Sequence, residues 1–419
     1  MSLVTEPASP SRIASLDVLR GLALLGLPTM NIIVFAMPSA AYVNPQAWGD
    51  GNALNDILFG FFYLFADQKF MGLFTLLFGA SMLLLAEQSE VSGRNAASVH
   101  YRRTFWLLVI GLMHAWYLWE GDVLQIYAMI ALLLYPFRYL NPLTLLVIAA
   151  CALNVTLYLS HFPDISEATI GADGRYDLKA YFQPDIAQVE EQRAMYLGSH
   201  EDTVAAVRGT LATEFTDSEH SADLILAKGG LAMLVKVFGM MCLGMALYKL
   251  GVLQGWRTSR EYRRLAGICL GIGLPLTGFG LWWNYAQQWN MDAWYAFGMI
   301  PQHLGAVFMT VAYAALVLLA LRTVLPKSMA TALAAVGRMA LTNYLMQSLI
   351  CALLFYGYGL GLYGSLSRLE LLPIIVGIWC GQILLSLIWL RYFLQGPVEW
   401  LWRTLTYFNL QPMLRRRVG

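Results

Sequence analysis

Charge is what this chain has least of. Only 13% of its 419 residues are Asp, Glu, Lys or Arg, and 27 basic against 26 acidic side chains leave a formal net charge of +1. A nucleic-acid binder presents a basic face, so no nucleic-acid partner is expected. Cysteine is sparse too. Cys151, Cys242, Cys269, Cys351 and Cys380 form no CxxC pair and no metal-ligand spacing, so they read as small buried hydrophobes and no metal site is expected. There is no Walker A loop, no HExxH and no GxSxG, which removes the usual markers of ATP-driven transport, zinc hydrolysis and hydrolase chemistry. Gly359, Gly361 and Gly364 match GxGxxG, but an apolar helix and not a strand precedes them, so no dinucleotide site is expected. Residues 1–11 carry no Lys or Arg and lack the positive region of a secretory signal.

What the chain has in abundance is apolar sequence, 58% of the whole. A helix that crosses the roughly 30 Å hydrocarbon core needs about 20 mostly apolar residues. Such runs occur at 18–38, 70–86, 104–119, 123–139, 142–160, 231–249, 265–284, 299–321, 338–356 and 371–391. An outer-membrane barrel would show short alternating segments instead. The pattern predicts an all-α, polytopic transmembrane helical bundle of about ten spans. Most Lys and Arg fall on one side if the first span runs outward, which predicts cytoplasmic termini.

The organisation expected is an N-terminal transmembrane half at 1–160, an extracytoplasmic loop or small cap at 161–229, and a C-terminal transmembrane half at 230–419 with an interfacial tail. The loop carries thirteen Asp and Glu against five Lys and Arg, and Pro184 to Tyr196 and Glu201 to Phe215 have helix-friendly composition. Asn55 to Ala66 is too short to span and is expected at or re-entering the interface. Val398 to Phe408, rich in aromatic rings, reads as an interfacial helix.

Polar groups inside spans are costly unless they meet partners or water, so they mark candidate sites. Asn31 lies past the middle of the first run and His114 about ten residues into the third. Asp67 and Lys69 open the second, Lys236 enters the sixth, and Gln302 with His303 begins the eighth. Asn343 and Gln347 share one face of the ninth. Glu120, Asp122 and Gln125 crowd the turn between the third and fourth. All but Asn343 sit from mid-membrane outward, which suggests a polar cavity open to the outer side. For His114, Asn343 and Gln347, interhelical hydrogen bonding is a commoner role of such residues than chemistry. Asp122 also suits a helix N-cap, Lys236 could snorkel, and Asp17 with Arg20 suits an ion pair.

Several motifs together resemble the YeiB-type family of bacterial inner-membrane proteins. They are Arg12-Ile-Ala-Ser-Leu-Asp17-Val-Leu-Arg20-Gly21 with Asn31 behind it, Gly111-Leu-Met-His114 followed by Gly121-Asp122, Gly337-Arg338-Met-Ala-Leu-Thr342-Asn343-Tyr344-Leu-Met-Gln347-Ser348, and Gly396-Pro397-Val-Glu399-Trp400-Leu-Trp402-Arg403. The resemblance covers nearly the whole chain and implies a multi-pass protein of the bacterial inner membrane. The stretch from Asp17 to Asn31, with a fainter echo in Phe70 to Leu83, is also similar to the transmembrane acyltransferase superfamily that includes heparan-alpha-glucosaminide N-acetyltransferase. Asn31 matches an active-site asparagine there. The histidine that should follow is missing, because residues 32–60 hold none and Tyr42 stands near the expected place.

That second resemblance implies transfer of an acyl group, such as acetyl, from cytoplasmic acyl-CoA to an extracytoplasmic glycan or lipid. No tightly bound cofactor is expected, with acyl-CoA as co-substrate, membrane lipids as surroundings and a homodimer by analogy with the superfamily. His114 is the expected base, Asn31 the oxyanion donor, and Asp122 the carboxylate that orients either the acceptor or, given reach, the histidine. Arg20, Arg102, Arg103, Arg338 and Arg403 are the expected phosphate ligands, although anionic lipid explains a basic rim equally well. Lys236, Gln302, His303, Asn343, Gln347, Asp67 and Lys69 are the expected substrate contacts. The alternative function is a transporter or exporter of a small anionic or lipidic substrate, with Lys236 as its anion contact.

Overall fold

The computed structural model describes residues 10–49, 51–161, 182–204 and 221–415, with side chains from Ala14 onward and, in the helix that begins at Ser221, from Lys228. Arg12, Arg175, Lys179, Arg208, Arg416 and Arg417, together with much of the expected 161–229 cap, therefore lie outside the described side chains. The described chain is helical, with only an isolated bridge between Phe393 and Leu414. Its principal helices are α1 (Pro10–Gly26), α2 (Pro28–Ala36), α3 (Ala53–Phe65), α4 (Lys69–Val91), α5 (Ala96–Tyr117), α6 (Leu124–Leu134), α7 (Pro142–Ser160), α8 (Ile186–Leu197), α9 (Ser221–Lys249), α10 (Ser259–Ala286), α11 (Met299–Thr323), α12 (Lys327–Arg338), α13 (Ala340–Phe355), α14 (Arg368–Tyr392) and α15 (Pro397–Tyr407).

This is a helical membrane protein. Among the described residues, seven helical stretches are long and apolar enough to cross a bilayer, and the α12–α13 pair, bent by 79°, makes an eighth. The expectation of ten came from two further apolar runs. The run at 104–119 falls on α5, which Asn95 caps upstream so that His100, Arg102 and Arg103 join its first turns. The run at 123–139 is split, because Pro136 ends α6 at Leu134 in a single 3₁₀ turn over Tyr135–Tyr139. Eleven α-helical residues reach only about 16 Å.

Two apolar cores hold the bundle. One joins α1, α4, α6, α7, α9, α10 and α11 through residues such as Leu16, Leu76, Tyr127, Leu145, Met241 and Ala312. The other joins α2, α13 and α14 to the ends of α5 and α6 through Ile33, Phe35, Trp119, Tyr344, Phe355 and Ile375. Helices α1 and α12 touch backbone to backbone: a Cβ on Gly21 would overlap the Leu333 carbonyl, and one on Gly337 would overlap the carbonyl of Asp17. In lipid, small residues at such crossings let dispersion and backbone contacts replace the missing hydrophobic driving force.

Two ends can be distinguished. At one, α15 packs on the start of α5, with Arg94, Arg102 and Arg103 lying over the rings of Tyr407, Phe408 and Trp402. Trp402 also donates its indole N–H to the Arg103 carbonyl at 2.8 Å. At the other, α8 begins with a capping box on Asp185, within the helix-friendly stretch Pro184 to Tyr196, and Tyr196 stacks on Tyr356 and Tyr363. The stretch Glu201 to Phe215 lies mostly outside the described residues.

Candidate functional site

Helix α5 extends eight residues further upstream than the apolar run that announced it, so His114 falls in its last turn and not at mid-span. The chain then turns through Leu118 to Val123 and starts α6. This tight reversal lets Asp122 face back onto α5. Its Oδ1 lies 2.8 Å from His114 Nδ1, and both side chains are almost wholly buried. Its Oδ2 accepts the Gln125 backbone N–H at 3.0 Å, so the carboxylate caps α6 and orients the imidazole at once. From α13, the Tyr344 hydroxyl donates to Asp122 Oδ1 at 3.1 Å, and its ring centroid lies 5.4 Å from that of His114.

The outward nitrogen, His114 Nε2, has no hydrogen-bond partner although it is buried. Two more unpartnered buried atoms follow within six residues, Trp119 Nε1 and Glu120 Oε2. The Trp119 ring lies edge-on to His114 at 6.4 Å. Glu120 accepts from the Tyr196 hydroxyl at 2.7 Å through its other oxygen, and burial pushes its carboxyl above the usual 4.5. With Nδ1 facing a carboxylate, the neutral form of this imidazole carries its lone pair at Nε2, the arrangement of an oriented general base. Asn31 sits on α2, half-buried, one turn before Phe35, whose ring packs on Trp119 at 4.8 Å. No described hydrogen bond joins Asn31 to His114 or Asp122.

A second polar group forms where the helical passage from Ala53 to Val91 breaks. Gln68 takes a left-handed backbone (φ 63°) between α3 and α4. Asp67 accepts from Tyr42 at 3.0 Å and from Gln302 at 2.8 Å. The fully buried Lys69 donates to the Tyr63 carbonyl at 2.6 Å and to Gln302 Oε1 at 3.2 Å. Lys236 meets Gln68 Oε1 at 2.5 Å. Five expected contacts thus lie close to one break, His303 among them by its place next to Gln302, although its ring is bound to the Met299 carbonyl. Beside Gln68 and Lys236 is a void of about 10 Å³, room for roughly one water. Asn343 and Gln347 belong elsewhere: they bond Ser386, Gln382 and the Leu24 carbonyl, stitching α13 to α14 and α1.

Comparison with known proteins places these groups in a family. The chain is 33% identical over 409 residues to "Uncharacterized protein YeiB" of Escherichia coli (strain K12), covering 97% of this chain and 99% of that one. It is 30% identical over 438 residues to "Uncharacterized protein YxaH" of Bacillus subtilis (strain 168), covering 99% of both. The chain belongs to the YeiB-type family. The family model described as "Protein of unknown function (DUF418)" matches residues 247–409, which include Tyr344 but neither His114 nor Asp122.

The arginines expected to act together in this YeiB-type chain separate into two groups. Arg20 is held by Asp17 at 2.7 Å and by Ser81, and it lies with Arg403 close enough to Arg103 to repel it. Arg102 bonds the Ser98 hydroxyl and carbonyl. Arg338 instead donates to the Leu394 carbonyl and lines a separate cavity. Tyr344 and Glu399 stand within the family motifs, and their spacing alone assigns neither a role. Yet Tyr344 completes the His114 group, and Glu399 accepts from the first backbone N–H groups of α13, Leu341 at 2.7 Å and Thr342 at 3.0 Å.

Proposed function

We propose that this protein is a transmembrane acyltransferase, moving an acyl group such as acetyl from cytoplasmic acyl-CoA to a hydroxyl or amine on an extracytoplasmic glycan or lipid. One observation carries the reading: a buried histidine, oriented by a carboxylate through Nδ1 and open at Nε2, lies at the end of the bundle opposite the α15 arginines. In this reading the termini and α15 are cytoplasmic and α8 faces outward in a bacterial inner membrane.

His114 Nε2 takes the proton of the acceptor as its oxygen or nitrogen attacks the thioester carbonyl. The carbon–sulfur bond breaks, and the proton passes from the imidazolium to the leaving CoA thiolate. Asp122 stabilises the imidazolium between these events, and Tyr344 holds the carboxylate. The oxyanion needs donors that have no other duty. Trp119 Nε1 qualifies by its lack of a partner, and Asn31 by its uncommitted amide. On the donor side, Arg20, Arg103 and Arg403 are the cationic cluster for CoA phosphates.

The test is transfer of labelled acetyl from acetyl-CoA in oriented membrane vesicles. His114→Ala is expected to lower the rate by about 10²–10⁴-fold with acetyl-CoA binding little changed. A fully active His114→Ala protein would remove the base and the mechanism with it.

A second reading, a carrier for a small anion, draws on the helix break at Asp67–Lys69, because discontinuous helices with charged linings form transporter sites. In that case Lys236→Met would abolish uptake or export of the anion while His114→Ala would leave it intact.

A further inference from the structure

A cavity of about 830 Å³ lies at the α15 end and away from both groups described above. Four arginines line it: Arg322 at the end of α11, Arg338 at the end of α12, Arg391 at the end of α14, and Arg415. No Asp or Glu is among its described lining residues. Asp17, whose charge reaches Arg338, is ion-paired with Arg20. Arg391 has no described partner, and Arg322 and Arg338 each give one N–H to a backbone carbonyl, Gly255 and Leu394, leaving most of their donors uncommitted.

Depth orders the rest of the lining. Arg322 and Arg391 are the second-last residues of two spans, where the phosphates of a bilayer lie. On the same two helices Leu321 and Leu390 immediately precede the arginines, and Leu318 and Leu387 lie one turn deeper. Cationic side chains beside and above aliphatic ones, repeated on two spans that line the cavity, match a phosphate group carried on an acyl chain. An independent observation points the same way. Gln254, 7% exposed and part of the lining, has a side-chain carbonyl oxygen that is buried and bonded to nothing. Such an acceptor costs stability unless a donor reaches it.

We propose that this cavity binds an anionic phospholipid whose headgroup carries a hydroxyl, with its phosphate on Arg322, Arg338, Arg391 and Arg415, its headgroup hydroxyl donating to Gln254 Oε1, and its acyl chains along the leucines. The site is independent of acyl transfer. Held between α1, α11, α12 and α14, the lipid bridges α12, the first arm of the 79° bend, to its neighbours.

The experiment uses the full chain, purified in uncharged detergent and stripped of lipid, with binding read by native mass spectrometry. The probes are phosphatidylglycerol, phosphatidylmethanol, phosphatidylcholine, acyl-CoA and inorganic phosphate. Phosphatidylglycerol is expected to bind tightest, and raised salt to weaken it. Arg391→Gln is expected to cost on the order of tenfold in affinity, and Arg322→Gln with Arg391→Gln on the order of a hundredfold, while Arg260→Gln, an exposed arginine outside the cavity, changes nothing. Gln254→Leu should abolish the preference for phosphatidylglycerol over phosphatidylmethanol, which lacks the hydroxyl. Equal binding of phosphatidylcholine, or wild-type affinity in the double variant, would overturn the proposal. Tighter binding of acyl-CoA or inorganic phosphate at the same arginines would overturn the lipid assignment while leaving the His114 mechanism untouched.

Discussion

Removing Glu399 tests how the bundle holds its sharpest bend. Between α12 and α13 the helix axis turns by 79°, so the first N–H groups of α13 have no helical partner. Glu399, from the start of α15, supplies one. Its Oε1 accepts from Leu341 and Thr342, and its Oε2 accepts from the Thr342 hydroxyl at 2.6 Å. Leu341 and Thr342 are 7% and 9% exposed, so water does not easily replace the carboxylate. A lost N-cap costs about 0.5–2 kcal/mol, and each buried donor left unpaired about 1–3 kcal/mol. Partial relaxation takes back some of this, and Glu399→Ala is expected to destabilise by about 2–4 kcal/mol. Glu399→Gln keeps a carbonyl acceptor and sheds the cost of burying charge, so it should stay within about 1 kcal/mol of wild type.

Thermal unfolding in detergent reads both variants, and limited proteolysis near Met339 reads the bend itself. The pH dependence adds a check on sign. Desolvation holds the folded Glu399 carboxyl above its ordinary 4.5, so the unfolded chain ionises first. Stability contributed here is therefore present below about 4.5 and falls as pH rises through the folded value, a slope that Glu399→Gln should remove. If Glu399→Ala melts like wild type, the N–H groups have other partners and the capping argument fails.

Other consequences follow from the same contacts. Tyr344→Phe removes one donor from Asp122 and should slow acetyl transfer about tenfold, less than His114→Ala does; an equal loss would make Tyr344 the proton carrier instead. Gly337→Ala drives a Cβ into the Asp17 carbonyl and should cost about 1–3 kcal/mol in thermal stability, whereas Gly267→Ala, with open space around it, should be neutral or gain up to about 1 kcal/mol. In a cysteine-free background, an impermeant reagent applied to whole cells should label a cysteine placed at Gly174 and not one at Ser259; the reverse pattern would invert the membrane orientation.

The class of fold was legible because apolar length is a one-dimensional signal. At 104–119 and 123–139 it missed the helix ends, which a local cap at Asn95 and a proline at Pro136 set and composition did not. The His114–Asp122 pair was readable as two polar residues flanking one short turn. Tyr344 was not, since it arrives from 222 residues away and its partner cannot be inferred from spacing. The expected arginine set failed to show its division for the same reason: a count of basic residues at one end of a bundle carries no information about which ones face each other.

The stack of Arg94, Arg102 and Arg103 on α15 also sets a clock. Arg103 and Trp402 are 299 residues apart, so at 5–20 residues per second the ribosome delivers the ring about 15–60 s after the arginine. Throughout that interval Arg94, Arg102 and Arg103 lack the rings they lie over, and the α12–α13 bend, once made, waits for its cap, because Glu399 belongs to the same late segment. The early helices must wait in the membrane, in reach of insertion factors and proteases, until this late segment emerges and packs on α5.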